Sequence, residues 1–333
     1  MERPKIICLT PVKNEAWILK KFLESVSLWA DHVVIADQGS SDGSVQIAKS
    51  FSKVILIHNT SKTFNEPERQ KMLINEARKI MGPKVLIALD ADESLTANSI
   101  GNHEWDIIKK LETGTVIKFD WVNLIPQKNI YWQSSYKMPF GFVDDGSEHI
   151  GLEIHSQRVP VPLDNPVYYP NDIKVMHFQY ADWERMKSKH RWYQCWENIN
   201  NKSRSKVAIY RQYHHMYAIK KSQFKVLPSK WLNGYKSIGL DYHNIAQEGF
   251  YYWDYEIIKL FNQYGLKFFS KIDIWDVDWA EVAKETQQNK LIQFNDPRTK
   301  WEKLVDYYLK KTQPFSYSLF LKVIDRLLIK FKF

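Results

Sequence analysis

The chain has 333 residues, 44% of them hydrophobic and 26% charged, so it can bury a sizeable core and is not a peptide-sized, disulfide-stapled fold. Its formal net charge of +9 favours binding to phosphates, nucleic acid or an anionic membrane, and it does not distinguish among these partners. Cys8 and Cys195 are the only cysteines, which excludes a disulfide framework and a thiolate zinc site and favours a reducing, cytoplasmic setting.

Short apolar runs alternate with helical spacing through the first ninety residues. Residues 6–9, 33–36, 54–57 and 85–89 are rich in Val, Ile and Leu, as expected of parallel strands that are buried on both faces. Between the first two runs, Ile18, Phe22, Val26 and Trp29 have the spacing of one helix face. The pattern predicts β-α-β-α-β-α-β, an α/β sandwich with a parallel sheet.

Each predicted strand is followed by a polar cluster. These clusters occupy residues 10–15, 37–43, 58–60 and 90–93. Because ligands of open parallel sheets collect at the carboxyl ends of the strands, we expect the four clusters to line one crevice.

The rest of the chain divides into three regions by its pattern. Residues 101–179 are interrupted by prolines and predict a mixed sheet with long excursions. Helical spacing returns from Trp183 onward, with Lys, Tyr and Trp interleaved. We therefore expect an α/β domain over 1–180, a helical, aromatic-rich region over 181–314, and an amphipathic, basic helix over 315–333.

Asp90 and Asp92 follow the fourth predicted strand and lie one residue apart. Two such carboxylates cannot both point into an apolar sheet core, so they are expected at the strand end. Hard oxygen ligands there suit Mg²⁺ or Mn²⁺. For an isolated Asp-x-Asp, an acidic turn that caps a helix at Ser94 is the alternative.

The order and spacing of four features resemble the donor-binding half of GT-A glycosyltransferases of family 2. The features are Thr-Pro-Val-Lys-Asn-Glu at 10–15, Asp37, the loop with Gly39 and Gly43, and Asp-Ala-Asp-Glu at 90–93. The resemblance implies a GT-A fold, a Rossmann-like sheet with helices on both faces, followed by a mostly helical region. Residues 1–180 would then bind the nucleotide sugar and carry out catalysis, and residues 181–314 would form an acceptor or accessory region. It is greatest to bacterial enzymes of lipopolysaccharide-core and capsule assembly, because of Asp-Ala-Asp-Glu and of His-Phe-Gln-Tyr at 177–180.

The resemblance also implies roles for residues of the first two clusters. Pro11, Asn14 and Glu15 would shape the uridine pocket, with Glu15 near the ribose. Asp37 would accept a hydrogen bond from the base. Asp42 is instead expected to cap a helix or a turn.

Around the acidic cluster, the resemblance implies a diphosphate and metal site. Arg69 would face the nucleotide, although a solvated charge on an amphipathic helix is the alternative. Asp90 would contact the ribose or support the loop, and Asp92 would bind the metal. His177 is expected either as a second metal ligand or as a structural histidine at a strand end.

An inverting transfer needs a general base that deprotonates the acceptor hydroxyl. The candidates are Asp144, Asp145, Glu148, Glu153 and His155. Ser156 stands where the resembling segment of the family has an acid, so the sequence favours Glu153 over Asp145 and does not settle the choice.

Taken together, the motifs predict an inverting, metal-dependent transferase that uses a nucleoside diphosphate sugar, UDP-linked by the resemblance, and acts on a hydroxyl of a bacterial surface glycan. A catalytically inactive GT-A module and a sugar nucleotidyltransferase are the alternatives, but residues 9–17 contain no glycine for the phosphate loop of the latter. No nucleic-acid-binding motif appears, and a nucleic acid is not expected as a partner.

The last segment, 315–333, predicts attachment to an anionic membrane surface. Its apolar residues have helical spacing, while Lys322, Arg326 and Lys330 recur every fourth residue on another stripe. A lipid-linked acceptor would then share the plane of the enzyme. We expect a peripheral protein on the cytoplasmic face of the membrane, and the alternative is a final helix packed on the enzyme's own core.

Overall fold

The computed structural model describes residues 2–61, 64–242, 249–285 and 294–333. They form two compact units, one from Met1–Ala181 and Lys225–Ile245, the other from Asp182–Phe224 and Ala246–Phe333. The return of the segment near 225–242 to the first unit departs from the expected division at residue 180. The reason is packing, since Trp231, Leu232 and Tyr235 are buried in the core of the first unit.

The secondary structure alternates strands and helices at first and becomes helical later. The strands are β1 (Lys5–Val12), β2 (His32–Asp37), β3 (Val54–His58), β4 (Lys84–Ala88), β5 (Glu93–Leu95), β6 (Val116–Phe119), β7 (Trp121–Ile125), β8 (Ile130–Gln133), β9 (Met138–Val143), β10 (Val167–Tyr168), β11 (Val175–His177) and β12 (Lys225–Val226). The α-helices are α1 (Ala16–Val26), α2 (Ser44–Lys49), α3 (Glu66–Arg78), α4 (Glu104–Ile108), α5 (Trp183–Asn200), α6 (Lys206–Tyr213), α7 (Lys230–Lys236), α8 (Tyr252–Tyr264), α9 (Trp279–Glu285), α10 (Lys300–Thr312) and α11 (Leu319–Lys330).

The main sheet of the first unit has the strand order β10-β6-β9-β4-β1-β2-β3. Strand β1 pairs in parallel with β2 and β4, and β2 pairs in parallel with β3. Strand β9 is antiparallel to both β4 and β6. The predicted β-α-β-α-β-α-β order and the α/β fold class are confirmed.

Alternation along the strands builds a core on each face of this sheet. Ile6 and Cys8 of β1 pack in one cluster with Phe22 of α1, whereas Ile7 and Leu9 pack in the other cluster with Leu73 of α3. Successive side chains of a strand point to opposite faces, so a continuous apolar run fills both cores. Helices therefore cover both faces of the sheet, as the resemblance implied.

A second sheet, of order β12-β8-β7-β11-β5, is built from the proline-interrupted middle of the chain. Strand β11 pairs in parallel with β7 and antiparallel with β5. In the latter pair His177 lies opposite Glu93. This register brings a late histidine to the acidic turn that follows β4.

The second unit is helical and has two apolar clusters. One cluster gathers Ile257, Ile258 and Phe261 of α8 with Trp279 of α9. The other joins α6 and α10 to the end of the chain through Leu328 and Phe333. Within the described residues, no helix is both long enough and apolar enough to cross a membrane.

Candidate functional site

The carboxyl ends of the parallel strands place the predicted clusters at one edge of the main sheet. Val12 at the end of β1 is in register with Asp37 at the end of β2, and Pro11 is in register with Ala36. The β1–α1 loop therefore meets the β2–α2 loop. The acidic turn after β4 begins at the same edge, because β4 runs parallel to β1.

The first two loops are tied together by hydrogen bonds. Asn14 adopts a left-handed backbone conformation, with φ of 54°, and its side-chain oxygen accepts the N–H of Ser41 at 2.8 Å. The N–H of Asn14 donates to the Ser40 hydroxyl at 2.9 Å. The Lys13 ammonium donates to the carbonyl oxygens of Gln38 and Gly39 at 2.7 and 2.8 Å. These bonds fix the shape of the loops that the sequence assigned to the nucleotide.

The carboxylate of Asp37 is buried and accepts backbone hydrogen bonds from the loop that follows it. The Gly39 N–H donates at 3.0 Å and the Ser40 N–H at 3.2 Å. Gly39 has a φ of 71°, a left-handed conformation that favours glycine. Asp37 therefore shapes the turn, and its carboxylate retains lone-pair capacity for a further donor.

Glu15 and Asp42 position the start of α1. The Glu15 side chain accepts the indole N–H of Trp17 at 2.7 Å, and its backbone N–H donates to the Ser44 hydroxyl at 2.9 Å. Asp42 accepts the N–H groups of Ala16 and Ser44 at 2.9 and 3.0 Å. The prediction that Asp42 caps a turn is confirmed by its bond to Ser44.

A half-buried arginine organises the acidic turn. Arg158 pairs with Asp90 at 2.8 Å and with Glu93. The backbone N–H of Asp90 also donates to the Glu93 side chain at 2.9 Å. Burial raises the pKa of Glu93, and the Arg158 guanidinium opposes that rise. Asp90 and Glu93 are therefore held by the positive charge of Arg158.

Asp92 lies against His177, the pair that the sequence proposed for the metal. The Asp92 Oδ2 and His177 Nε2 atoms are 3.6 Å apart, and both side chains are buried. The ring of His177 stacks on Trp121, and its Nδ1 lies 3.0 Å from the Asn123 side-chain oxygen. Because an amide oxygen only accepts, Nδ1 donates to Asn123, and Nε2 is the ring nitrogen that faces Asp92.

This pair could supply two ligands of one divalent cation. A separation of 3.6 Å is too long for a hydrogen bond, and adjacent ligands of an octahedral cation at about 2.1 Å lie about 3 Å apart, so a shift of about 0.6 Å would bring the two atoms to that spacing. Within the described ranges, no group of three or more His, Cys, Asp or Glu side chains could hold a metal. Two protein ligands suffice where substrate phosphate and water complete the coordination.

Arg69 lies in the first turns of α3, which begins at the same edge of the sheet. Its guanidinium lies over the Phe64 ring at 5.6 Å. Its buried Nε has no hydrogen-bond partner among the described residues. Arg69 is therefore half-buried, not a fully solvated surface charge.

The loop that carries the base candidates runs along α3 from one edge of the sheet to the other. It begins where Asp144 pairs with Arg78 at 2.8 Å, passes Lys71, which lies 3.3 Å from Glu148, and reaches the first turn of α3. There the Glu66 N–H donates to the Glu153 carbonyl oxygen at 3.1 Å. The loop thus ends at the edge that holds the acidic turn.

This course separates the candidate bases. The N–H of Asp144 donates to the carbonyl oxygen of Lys84, at the start of β4, so Asp145 lies at the amino edge of the parallel strands. That edge is about 20 Å from Asp90 along β4, at about 3.3 Å per residue. We therefore correct the assignment of Asp145 as a base, whereas exposed Glu153 and His155 lie on the side of the acidic turn.

Sequence reasoning missed Arg158, Lys13 and Asn123. Arg158 is the only arginine in the sequence between Arg78 and Arg185, and it follows the acid-rich loop. Its isolated position could have indicated a partner for the acidic turn. Lys13 belongs to the quoted motif but carried no assigned role. Asn123 had no signal, because only the pairing of β7 with β11 brings it to His177.

The parallel order β3-β2-β1-β4, with polar loops and an acidic turn at its carboxyl edge, defines a nucleotide-binding α/β domain of the GT-A type. Residues 7–103 match the sequence model of Glycosyl transferase family 2. This segment contains the two tied loops and the acidic turn, so the match covers the motifs on which the resemblance to this family was drawn.

The solved structures that are similar to the chain include three with low sequence identity. The first, 4-diphosphocytidyl-2C-methyl-D-erythritol synthase, has 17% identity and a TM-score of 0.22, with 28% of this chain and 48% of that chain covered. The chain thus spans about half of that enzyme's length. TarS of S. aureus, residues 1–349, has 12% identity, a TM-score of 0.38 and coverage of 87% and 94%. HddC from Yersinia pseudotuberculosis has 8% identity, a TM-score of 0.31 and coverage of 52% and 93%.

Proposed function

We propose that the protein is an inverting glycosyltransferase that transfers a sugar from a nucleoside diphosphate sugar, UDP-linked, to a hydroxyl of a bacterial surface glycan such as lipopolysaccharide or capsule. The observation that carries the proposal is the approach of His177 to Asp92 at the carboxyl edge of the sheet. It occurs beside a segment that matches Glycosyl transferase family 2.

The donor nucleotide lies against the two tied loops in this proposal. Pro11, Asn14 and Glu15 bound the pocket, with Glu15 near the ribose. Asp37 uses its remaining lone-pair capacity for the N–H of the base. Arg69 places a positive charge at the first turn of α3, where it attracts the nucleotide's phosphates.

Asp92 and His177 would hold Mn²⁺ or Mg²⁺ against the diphosphate. A bound divalent cation neutralises the diphosphate and so stabilises it as the leaving group. Arg158 keeps Asp90 and Glu93 paired, so that Asp92 is the acid of this turn directed at His177. The protein thus supplies an anionic and an imidazole ligand in fixed orientation.

Glu153 is the proposed general base, with His155 as the second candidate on the same loop. Removal of the acceptor hydroxyl's proton by a carboxylate makes the oxygen a better nucleophile. Attack on the anomeric carbon from the side opposite the leaving diphosphate inverts its configuration. The loop is held for this task by Glu66, whose side chain accepts the Ser156 N–H at 2.7 Å.

Helix α11 supports the proposed contact with an anionic membrane. One face packs on its own unit, where Leu328 is buried and Asp325 pairs with Arg211 at 3.0 Å. A second face exposes Leu319, Phe320, Val323, Leu327 and Phe331. Lys322, Arg326 and Lys330 lie exposed on the side next to it. Exposed apolar side chains beside a basic stripe are typical of helices that lie in a membrane interface.

The catalytic proposal is tested by offering a panel of UDP-sugars with Mn²⁺ and measuring the release of UDP by the purified protein. We expect release from one sugar above all others, and faster release with a glycan acceptor. Absence of UDP release and of UDP binding in a folded protein would overturn the proposal. Release of pyrophosphate from a nucleoside triphosphate and a sugar 1-phosphate would favour the nucleotidyltransferase alternative.

The membrane contact is tested by co-sedimentation with vesicles of phosphatidylglycerol and phosphatidylethanolamine. Leu319→Ser with Phe320→Ser alters only the exposed face, so we expect loss of pelleting with an unchanged melting temperature. Leu152→Ser, at an exposed leucine of the first unit, is the matched control. Equal pelleting of the parent and the double variant would remove α11 from the membrane contact.

A further inference from the structure

The second unit contains a cavity that the proposed donor site does not use. It has a volume of about 380 Å³ and is lined by residues of α5, α6, the turn after α6, the segment 273–276 and the end of α10. Ligand pockets in proteins run from about 300 to 1,000 Å³. The cavity is therefore large enough for a small ligand.

Flat aromatic rings form part of its wall. The rings of Tyr210 and His214 stack with centroids 4.0 Å apart and planes within 10° of parallel. Tyr217 continues the stack, 6.1 Å from His214, and is partly exposed. Such rings offer apolar faces to the C–H bonds of a sugar ring, while their polar atoms remain at the edges.

The charges of the cavity are already paired within the protein. Asp273 lies 3.0 Å from His214 and 2.8 Å from Lys310, and these hydrogen bonds outweigh burial and lower the pKa of Asp273 to about 2. Arg191 pairs with Asp254 and Asp276 at 3.2 and 3.1 Å. Since these cations have carboxylate partners, the lining is built for a neutral polar ligand and not for a phosphate.

Two polar groups of the lining can hydrogen-bond a ligand. Among the described residues, the buried Nε of Arg191 has no hydrogen-bond partner, and the hydroxyl group of buried Tyr210 belongs to the same lining. Burial raises the pKa of Tyr210 far above its usual range, so this hydroxyl stays protonated and can donate. A ligand rich in hydroxyl groups would satisfy both atoms.

We propose that this cavity is a carbohydrate-binding subsite that takes one neutral pyranose unit of a glycan, with its ring against Tyr217 and its hydroxyls toward Tyr210 and Arg191. As a subsite for the acceptor glycan, it rests on the proposed transfer reaction. As a binding site for a neutral sugar, it depends only on the residues of the cavity and not on the transfer reaction.

Saturation-transfer NMR with methyl glycopyranosides of glucose, galactose, mannose, rhamnose and N-acetylglucosamine tests the proposal. We expect at least one glycoside to bind the full chain in the absence of nucleotide. Tyr210→Phe removes one hydroxyl and should weaken that binding about 3- to 10-fold. Tyr217→Ala should weaken it further, while Tyr307→Ala, at an exposed tyrosine of α10 outside the lining, should leave it unchanged.

Any one of three results would overturn the proposed subsite. The folded chain binds none of the glycosides, Tyr217→Ala binds a glycoside as tightly as the parent does, or inorganic phosphate displaces the glycoside. Asp92→Asn separates this proposal from the transferase proposal, because it should abolish metal-dependent UDP binding and leave glycoside binding intact. Glycoside binding without UDP binding would keep the subsite and reject the transferase.

Discussion

Replacing Arg158 by methionine tests whether the half-buried guanidinium holds the acidic turn together. Methionine has a similar length and no charge, so the variant leaves Asp90 and Glu93 without their cation. Glu93 is the costlier of the two, because its side chain is fully buried whereas that of Asp90 is 32% exposed. Removal of one partner of a buried ion pair costs about 3–5 kcal/mol.

That cost should appear as a large fall in stability. For a unit of this size, each kcal/mol shifts the melting temperature by about 2–4 °C, so Arg158→Met should melt roughly 10 °C below the parent. Burial already raises the pKa of Glu93, and loss of Arg158 raises it further. The folded variant then favours protonated Glu93, so its defect should shrink as the pH falls from 8 to 5.

Urea unfolding followed by circular dichroism at both pH values measures the effect. Arg158→Met with Glu93→Gln is the matched control, because a neutral amide no longer needs the guanidinium. We expect this double variant to recover most of the lost stability near pH 8. A defect below about 1 kcal/mol in Arg158→Met, or no recovery in the double variant, would refute the reasoning.

Three other substitutions test separate parts of the account. Asp37→Ala should raise the dissociation constant of UDP at least about 10-fold in calorimetry, with a smaller effect on turnover at saturating donor, and an unchanged constant would remove Asp37 from the site. Glu153→Gln should lower turnover at least about 10²-fold while UDP binding persists, and the matched Asp145→Asn should retain parental turnover; equal turnover in both would exclude Glu153 as the base. Burial raises the pKa of Glu302, but hydrogen bonds from Thr299 and Ser270 outweigh it and bring the pKa to about 2, so Glu302→Gln should lower the free energy of unfolding by about 1–2 kcal/mol near pH 7. Because the folded-state pKa is depressed, this difference should vanish in urea unfolding as the pH falls from 5 to 2, and a pH-independent difference would contradict the assignment.

The parallel half of the sheet was predictable because its signals are local. Apolar runs of four to five residues mark β1 to β4. The helical spacing of Ile18, Phe22 and Val26 marks α1, and these three side chains are buried. Because the carboxyl ends of parallel strands lie at one edge of a sheet, the polar loops were expected beside the acidic turn. The bond from Ser44 to Asp42 was also predictable, since it joins residues two positions apart, whereas the bond from Ala16 was not.

What the sequence could not give depends on pairing between distant strands. The antiparallel insertion of β9 next to β4 reverses the direction of the chain, and this alone moves Asp145 to the amino edge. The pairing of β5 with β11 sets His177 opposite Glu93. The burial of Trp231 in the first unit likewise required a chain return that no local composition signals.

The sequence left two interpretations of the C-terminal segment, a helix on a membrane surface and a helix packed on the enzyme's own core. Helix α11 has both a packed face and an exposed apolar face. Leu328 packs inward, as expected of a final helix on the enzyme's core, while Phe320 and Leu319 remain exposed. Helical spacing predicted an amphipathic helix, but it could not divide the apolar residues between a packed face and an exposed one. That division depends on which face meets α6 and α10.

The most direct test of the central claim is calorimetric titration of the protein with UDP, with Mn²⁺ or with EDTA. If Asp92 and His177 hold a divalent cation against the diphosphate, the parent binds UDP more tightly with Mn²⁺ than with EDTA, and both Asp92→Asn and His177→Ala lose that difference. UDP binding that is equal in Mn²⁺ and EDTA, or a Mn²⁺ effect that survives in Asp92→Asn, would contradict the account.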